Sequence, residues 1–132
     1  MPHQRISSGK SLESVIGYSR AVRAGRHVYV AGTTGVLPED HPDTPGDAYA
    51  QTKHAFEIIE TGLIEAGASV GDVVRTRVFL TNIQDADAVG QAHHEMFGAT
   101  LPASAFIGIA SLIGGQAVVE IEVDAVISEA VG

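Results

Sequence analysis

The sequence predicts an α+β fold in which two helices cover one face of a mixed six-stranded sheet. Three observations carry this. Apolar residues recur with helical period between Asp47 and Ala66 and again between Asp85 and Phe97. Runs of β-forming residues that alternate in character lie before, between and after those helices. The resulting order, β-β-(β)-α-β-α-β-β, matches helices layered on one side of a sheet. With helices on one face only, the other face needs a separate explanation.

Residues 1–14 are polar and serine-bearing and read as an extended or loosely held arm, with residues 15–132 as one domain. Tyr18 to Ala24 alternates, Gly25-Arg26 interrupts, and His27 to Ala31 resumes with β-formers, which together read as a hairpin. Gly32 to Gly46 holds three prolines among acidic residues and reads as a surface loop, with a short strand near Thr33–Val36. Asp47 is placed to cap a helix. Its face is Thr52, Phe56, Ile59, Leu63 and Ala66, and Gly67 supplies its stop. Asp72 to Thr81 then alternates, with Val74, Thr76, Val78 and Leu80 on one side and Arg75, Arg77, Phe79 and Thr81 on the other. The second helix buries Val89, Ala92, His93 and Met96. Strands at Ala103–Ile109 and Val118–Ile127 follow, joined through Gly114-Gly115. In the last of these Val119, Ile121 and Val123 point one way, and Glu120, Glu122 and Asp124 the other. Arg75 and Arg77 offer a complementary stripe, so cross-strand ion pairs follow if the two strands are neighbours.

At 132 residues the chain suffices for one core, and with 5% aromatic residues that core is aliphatic and alanine-rich. There is no apolar run of membrane-spanning length, and Met1-Pro2-His3-Gln4-Arg5 offers no hydrophobic signal core. The absence of cysteine removes disulfides, thiolate nucleophiles and zinc–thiolate sites, and the expected compartment is the cytoplasm. Sixteen acidic against eight basic residues give a formal charge of −8, which repels phosphate backbones and disfavours nucleic-acid partners. His93-His94 cannot easily ligate one metal ion, because adjacent helical side chains diverge by about 100°. The loop Glu39-Asp40-His41-Pro42-Asp43 lacks calcium-loop spacing.

Taken in order, Gly17-Tyr18-Ser19-Arg20-Ala21-Val22, Val28-Tyr29-Val30-Ala31-Gly32, the helix from Gln51, Asp72 to Thr81, Pro102-Ala103-Ser104 and Val119-Glu120-Ile121-Glu122 form a recognisable set. This set resembles the Rid family, the reactive intermediate deaminases, also called the YjgF or endoribonuclease L-PSP family. The resemblance covers most of residues 15 to 127. It implies a chorismate-mutase-like fold of the bacillus type and a homotrimer whose uncovered sheet faces form a central barrel, with small-molecule clefts between subunits. It further implies cofactor- and metal-free hydrolysis of imines and enamines such as 2-aminoacrylate. In that family an arginine binds the substrate carboxylate, a glutamate orients water, and a tyrosine and backbone groups line the pocket.

Carried over by position, Glu120 and Tyr18 match the glutamate and tyrosine as catalytic candidates, and Gly32 matches the pocket glycine. Departures accompany these matches. Ser104 stands at the arginine, Phe106 at a residue often cysteine or threonine, Ala31 at the serine before the glycine, and Gly90 at an asparagine of some deaminases. Ser104 offers one neutral donor where a guanidinium offers a charged fork. Arg77 is the candidate for a relocated anion grip; its alternative role is to neutralise Glu120 or Glu122. Glu120 can equally pair with Arg75 or Arg77, Tyr18 can be an interface aromatic, and Phe106 can be core. Gly32 either lets substrate approach the backbone or simply permits a bulge. Ala31, Gly32, Arg77, Ser104 and Phe106 are thus the expected substrate-binding residues. The alternative function is a non-catalytic ligand-binding or regulatory trimer. Ribonuclease activity rests only on the family's historical name, and the acidic charge opposes it.

Overall fold

The computed structural model describes residues 2–128. Met1 of the expected arm and residues 129–132 at the expected domain end lie outside the described residues. Six strands form one sheet: β1 Gln4–Ile6, β2 Ala21–Ala24, β3 His27–Thr34, β4 Val73–Leu80, β5 Ala103–Gly108 and β6 Val119–Val126. Their spatial order is β1-β2-β3-β6-β4-β5. All pairings are antiparallel except β4 with β5, so the sheet is mixed. Among the described residues three α-helices accompany it: a short α1, Ser11–Ile16, and the longer α2, Ala48–Glu65, and α3, Ala86–Phe97.

The longer helices form for the reasons read from sequence. Asp47 caps α2 by accepting from the Ala50 amide at 2.8 Å. Thr52, Phe56, Ile59, Leu63 and Ala66 are all buried, and Gly67 adopts φ 87° just beyond the helix end. α3 buries Val89, Ala92 and Phe97. Between these helices and the sheet lies the core, to which β3, β4 and β6 contribute Val28, Val30, Val78, Leu80, Val119, Ile121 and Val123. Gly35, just after β3, lies against α2 so closely that a Cβ there would come within 1.9 Å of the Gln51 carbonyl oxygen.

The structure corrects four local readings. The expected strand near 33–36 is not separate: β3 continues to Thr34 across a bulge, where Ala31 and Gly32 together oppose Glu122. The sixth strand is instead Gln4–Ile6, inside the segment read as an arm, and that segment also forms α1. Its polar residues are tied down locally. Glu13 is buried and accepts from Ser7 Oγ at 2.9 Å, from the Ser8 amide at 3.1 Å and from the Ser8 hydroxyl. Third, Val74 is 48% exposed rather than core-facing. Val73 pairs with Ala125 and Arg75 with Asp124, so Val74 is the extra residue of a second bulge and the inward phase passes to Val73. The first expected strand also starts later than Tyr18, at Ala21. Among the described residues no helix is long and apolar enough to cross a membrane.

Candidate functional site

The open face of the sheet carries the polar stripes. Glu120, Glu122 and Asp124 alternate with buried Val119, Ile121, Val123 and Ala125 along β6. β4 is its neighbour, with Arg77 directly opposite Glu122 and Phe79 opposite Glu120. Arg77 Nη1 lies 3.3 Å from Asp124 Oδ2 and 3.8 Å from Glu122 Oε1. The cross-strand pairing expected from sequence is therefore present, with Glu122 and Asp124 as partners. A groove of about 500 Å³ opens on this face, and Tyr18, Ala31, Arg77, Glu122 and Asp124 are among its lining residues.

Glu120 sits over the β3 bulge. A Cβ at Gly32 would approach Glu120 Oε1 to 2.8 Å, so glycine is what leaves room for this carboxylate. The bulge is held by two side chains. Arg20 Nη2 donates to the Ala31 and Gly32 carbonyls, each at 2.8 Å, and the Thr33 hydroxyl donates to the Ala31 carbonyl at 2.8 Å. Burial raises the pKa of Glu120, Glu122 nearby raises it further, and Arg20 partly opposes both. Arg20 is itself buried, and its desolvation lowers its pKa against the attraction of Tyr18, Glu13 and Glu120. Tyr18 is half-buried and positioned by its amide, which donates to the Glu13 carbonyl at 2.9 Å at the end of α1. Arg20 was missed as a site residue. No periodicity marks it, because it precedes β2 and both it and Ala21 are buried.

Ser104 and Phe106 lie elsewhere. β5 is the sheet edge, with Ser104 beside Thr76 and Phe106 beside Val78. Thr76 and Val78 are fully buried on the helix-covered face, and the Thr76 hydroxyl donates to Ser104 Oγ at 2.7 Å. Phe106 makes an edge-on contact with His93 of α3, ring centroids 5.6 Å apart. His93 Nε2 is 2.8 Å from Thr76 Oγ1, and burial lowers its pKa. The sequence-derived residues thus fall into two groups. Tyr18, Ala31, Gly32, Glu120 and Arg77 belong to the open face and its bulge, while Ser104 and Phe106 turn to the covered face. β6 and β5 are two strands apart, or roughly 10 Å. One chain does not bring the two groups together.

Among the described residues no three His, Cys, Asp or Glu side chains cluster so as to hold a metal ion. The available chemistry is that of a desolvated carboxylate, backbone groups of a pinned bulge, a phenol and a hydroxyl.

Comparison with known proteins places this geometry in context. The family model described as Endoribonuclease L-PSP matches residues 8–127. An uncharacterized protein of Streptomyces coelicolor is 39% identical over 92% of this chain and 90% of its own length. The 2-iminobutanoate/2-iminopropanoate deaminase of Mus musculus is 33% identical over 92% of this chain and 89% of its own. Among solved structures, Rv2704 from Mycobacterium tuberculosis, a member of the YjgF/YER057c/UK114 family, superposes with TM-score 0.87 at 42% identity, covering 96% of this chain and all of that one.

Proposed function

This chain belongs to the Endoribonuclease L-PSP family, also named YjgF or Rid, and from that premise we propose that it is a cytoplasmic, cofactor-independent hydrolase of imine or enamine metabolites. Its sites would be clefts between the subunits of a homotrimer. Glu120, Tyr18 and the backbone at Ala31-Gly32 come from one subunit, Ser104 and Phe106 from the next. The observation that carries the reading is Glu120: a half-buried carboxylate with a raised pKa, seated over a glycine that leaves it room. A carboxylate whose pKa is raised holds a proton more firmly, which suits general-base work. The mouse relative named as an imine deaminase supplies the reaction class.

In this reading Glu120 holds a water and takes its proton as the oxygen bonds to the imine carbon. Glu120 returns that proton to the nitrogen to give the carbinolamine. The carbinolamine hydroxyl then gives up its proton, through the same carboxylate, to the nitrogen as the C–N bond breaks, leaving a carbonyl and ammonia. Tyr18 walls the cleft and offers a donor. With Ser104 at the family's arginine position, 2-aminoacrylate is a poor substrate. Loss of a charged hydrogen-bond partner weakens binding by about one to two decades. Arg77, already engaged by two carboxylates on the open face, would reach a substrate anion only by giving up those partners.

The test is ammonia and keto-acid release from enzymatically generated imino acids by the unmodified protein, Glu120→Ala and Ser104→Arg. Turnover lost in Glu120→Ala, with 2-aminoacrylate turnover raised in Ser104→Arg, supports the reading. No turnover by the unmodified protein across a broad imine panel rejects it. The same serine favours a second reading, a non-catalytic trimer that binds a small metabolite. Its mark is thermal stabilisation by small ligands that survives Glu120→Ala.

A further inference from the structure

Ser104 is exposed on the edge strand, where a hydroxyl ordinarily turns to water, yet it is bonded inward to a fully buried threonine. Thr76 lies between Ser104 Oγ at 2.7 Å and His93 Nε2 at 2.8 Å. A threonine hydroxyl has one proton to give. When Thr76 donates to Ser104, His93 Nε2–H must donate to Thr76, and the Ser104 proton is free to point outward. When the chain runs the other way, Ser104 donates to Thr76, Thr76 donates to an unprotonated Nε2, and the Ser104 lone pairs face outward. Every bond is kept in both arrangements, which differ by the tautomer of a neutral imidazole.

The surroundings keep that imidazole neutral. His93 packs among Phe56, Phe97 and Phe106, with ring centroids 6.2, 4.9 and 5.6 Å away. The side chains that make ring contacts or a hydrogen bond with it from α2, β4 and β5 are Phe56, Thr76 and Phe106, none of them charged. Tyr49 and Lys53 of α2 instead engage Glu95. The outer end of the chain is therefore a hydroxyl that can donate or accept without building up charge. Such a group suits a ligand that is neutral and has both kinds of site, an amide or a carbonyl with its imine. A carboxylate presents acceptors only and would lose hydration against Phe106, and among the described residues no recorded hydrogen bond or ring contact of Ser104 or Phe106 brings a cation to replace it.

We propose that Ser104, Thr76 and His93 form a reversible hydrogen-bond relay that makes the β5 edge a subsite for a neutral amide or carbonyl group in place of a carboxylate. Thr76 and His93 are its positioning residues. The proposal rests on the reading of this edge as one wall of the ligand cleft, and it adds the substrate class.

Binding of pyruvamide and of pyruvate to the full chain, measured by calorimetry near neutral pH, tests it alongside the ¹⁵N signal of His93 Nε2. The unmodified protein is expected to prefer pyruvamide by about three- to tenfold, the range a single hydrogen bond supports. Thr76→Ser, which keeps the hydroxyl, retains the preference and the shift of Nε2 on adding pyruvamide. Thr76→Val abolishes both. Ser104→Ala does the same at an exposed position, where folding is not at stake. Equal or tighter binding of pyruvate, a preference that survives Thr76→Val, or binding of neither probe overturns the relay. Imine hydrolysis is decided separately by ammonia release, so failure of one reading is distinguishable from failure of the other.

Discussion

The two faces of the sheet are made by the same strands, one residue out of step, and they do different work. On the covered face, Val78, Leu80, Val119, Ile121 and Val123 are fully buried against α2 and α3. On the open face, Arg77, Glu120, Glu122 and Asp124 alternate with them and remain half-exposed. A period-two pattern therefore puts apolar packing on one side and charged groups on the other. Changes on the two sides should differ in size.

The largest effect is expected from the covered side. Ile59→Ala should cost about 2–5 kcal/mol, because a fully buried side chain leaves a cavity. Tyr29→Ala on the open face, where that ring is 48% exposed, should fall within about 0.5 kcal/mol in a single chain. Urea denaturation of both variants under conditions that keep the chain monomeric checks the contrast. Equal losses would break it. Next is Gly35→Ala, expected to cost about 1–3 kcal/mol, since the added methyl meets the α2 backbone and cannot be relieved by rotation. Gly32→Ala meets only the end of the Glu120 side chain, so it should disturb ligand binding or turnover more than stability.

Two glutamates sharpen the comparison. Hydrogen bonds from Ser8 and Ser7 lower the pKa of Glu13, whereas desolvation raises that of Glu120. Glu13 therefore contributes stability above its unfolded value of 4.5, and this is lost as pH falls through the lowered folded value. Hydrogen exchange at the Ser8 amide should accelerate over that window before the α2 amides do. Glu120 has the opposite linkage. Its raised folded pKa favours the folded state below 4.5, and the contribution is lost as pH rises through the raised value. Glu120→Gln should thus raise the melting temperature slightly at neutral pH, by about 1 °C, and the gain should vanish in acid. A melting temperature lowered at neutral pH would show that Glu120 is stabilising where it stands.

What was legible in the sequence follows the same division. The α2 face from Thr52 to Ala66 was read correctly residue by residue, because helical period alone places it. The stripes of β6, and of β4 beyond Val74, were legible from two-residue alternation. Bulges were not. An extra residue at Ala31-Gly32 carries β3 on into a segment that reads as a loop, and Val74 looks like core until its pairing partner is known. β1 and α1 were illegible because side-chain bonds to Glu13, rather than apolar period, hold that segment. The direction of Ser104 depends on the parallel register that sets it beside Thr76, which alternation within β5 does not specify.

The separation of Glu120 from Ser104 and Phe106 by the sheet leads to the central claim, that a complete site needs two copies of the chain. Mixing two inactive variants tests this most directly. Glu120→Ala spoils one half-site and Phe106→Arg the other, and the two are unfolded together in equal amounts and refolded. Imine hydrolysis should return to roughly a quarter of the unmodified level, because random assembly leaves about that share of interfaces with both halves intact. A mixture as inactive as either variant alone would contradict the claim and place the whole site within one chain.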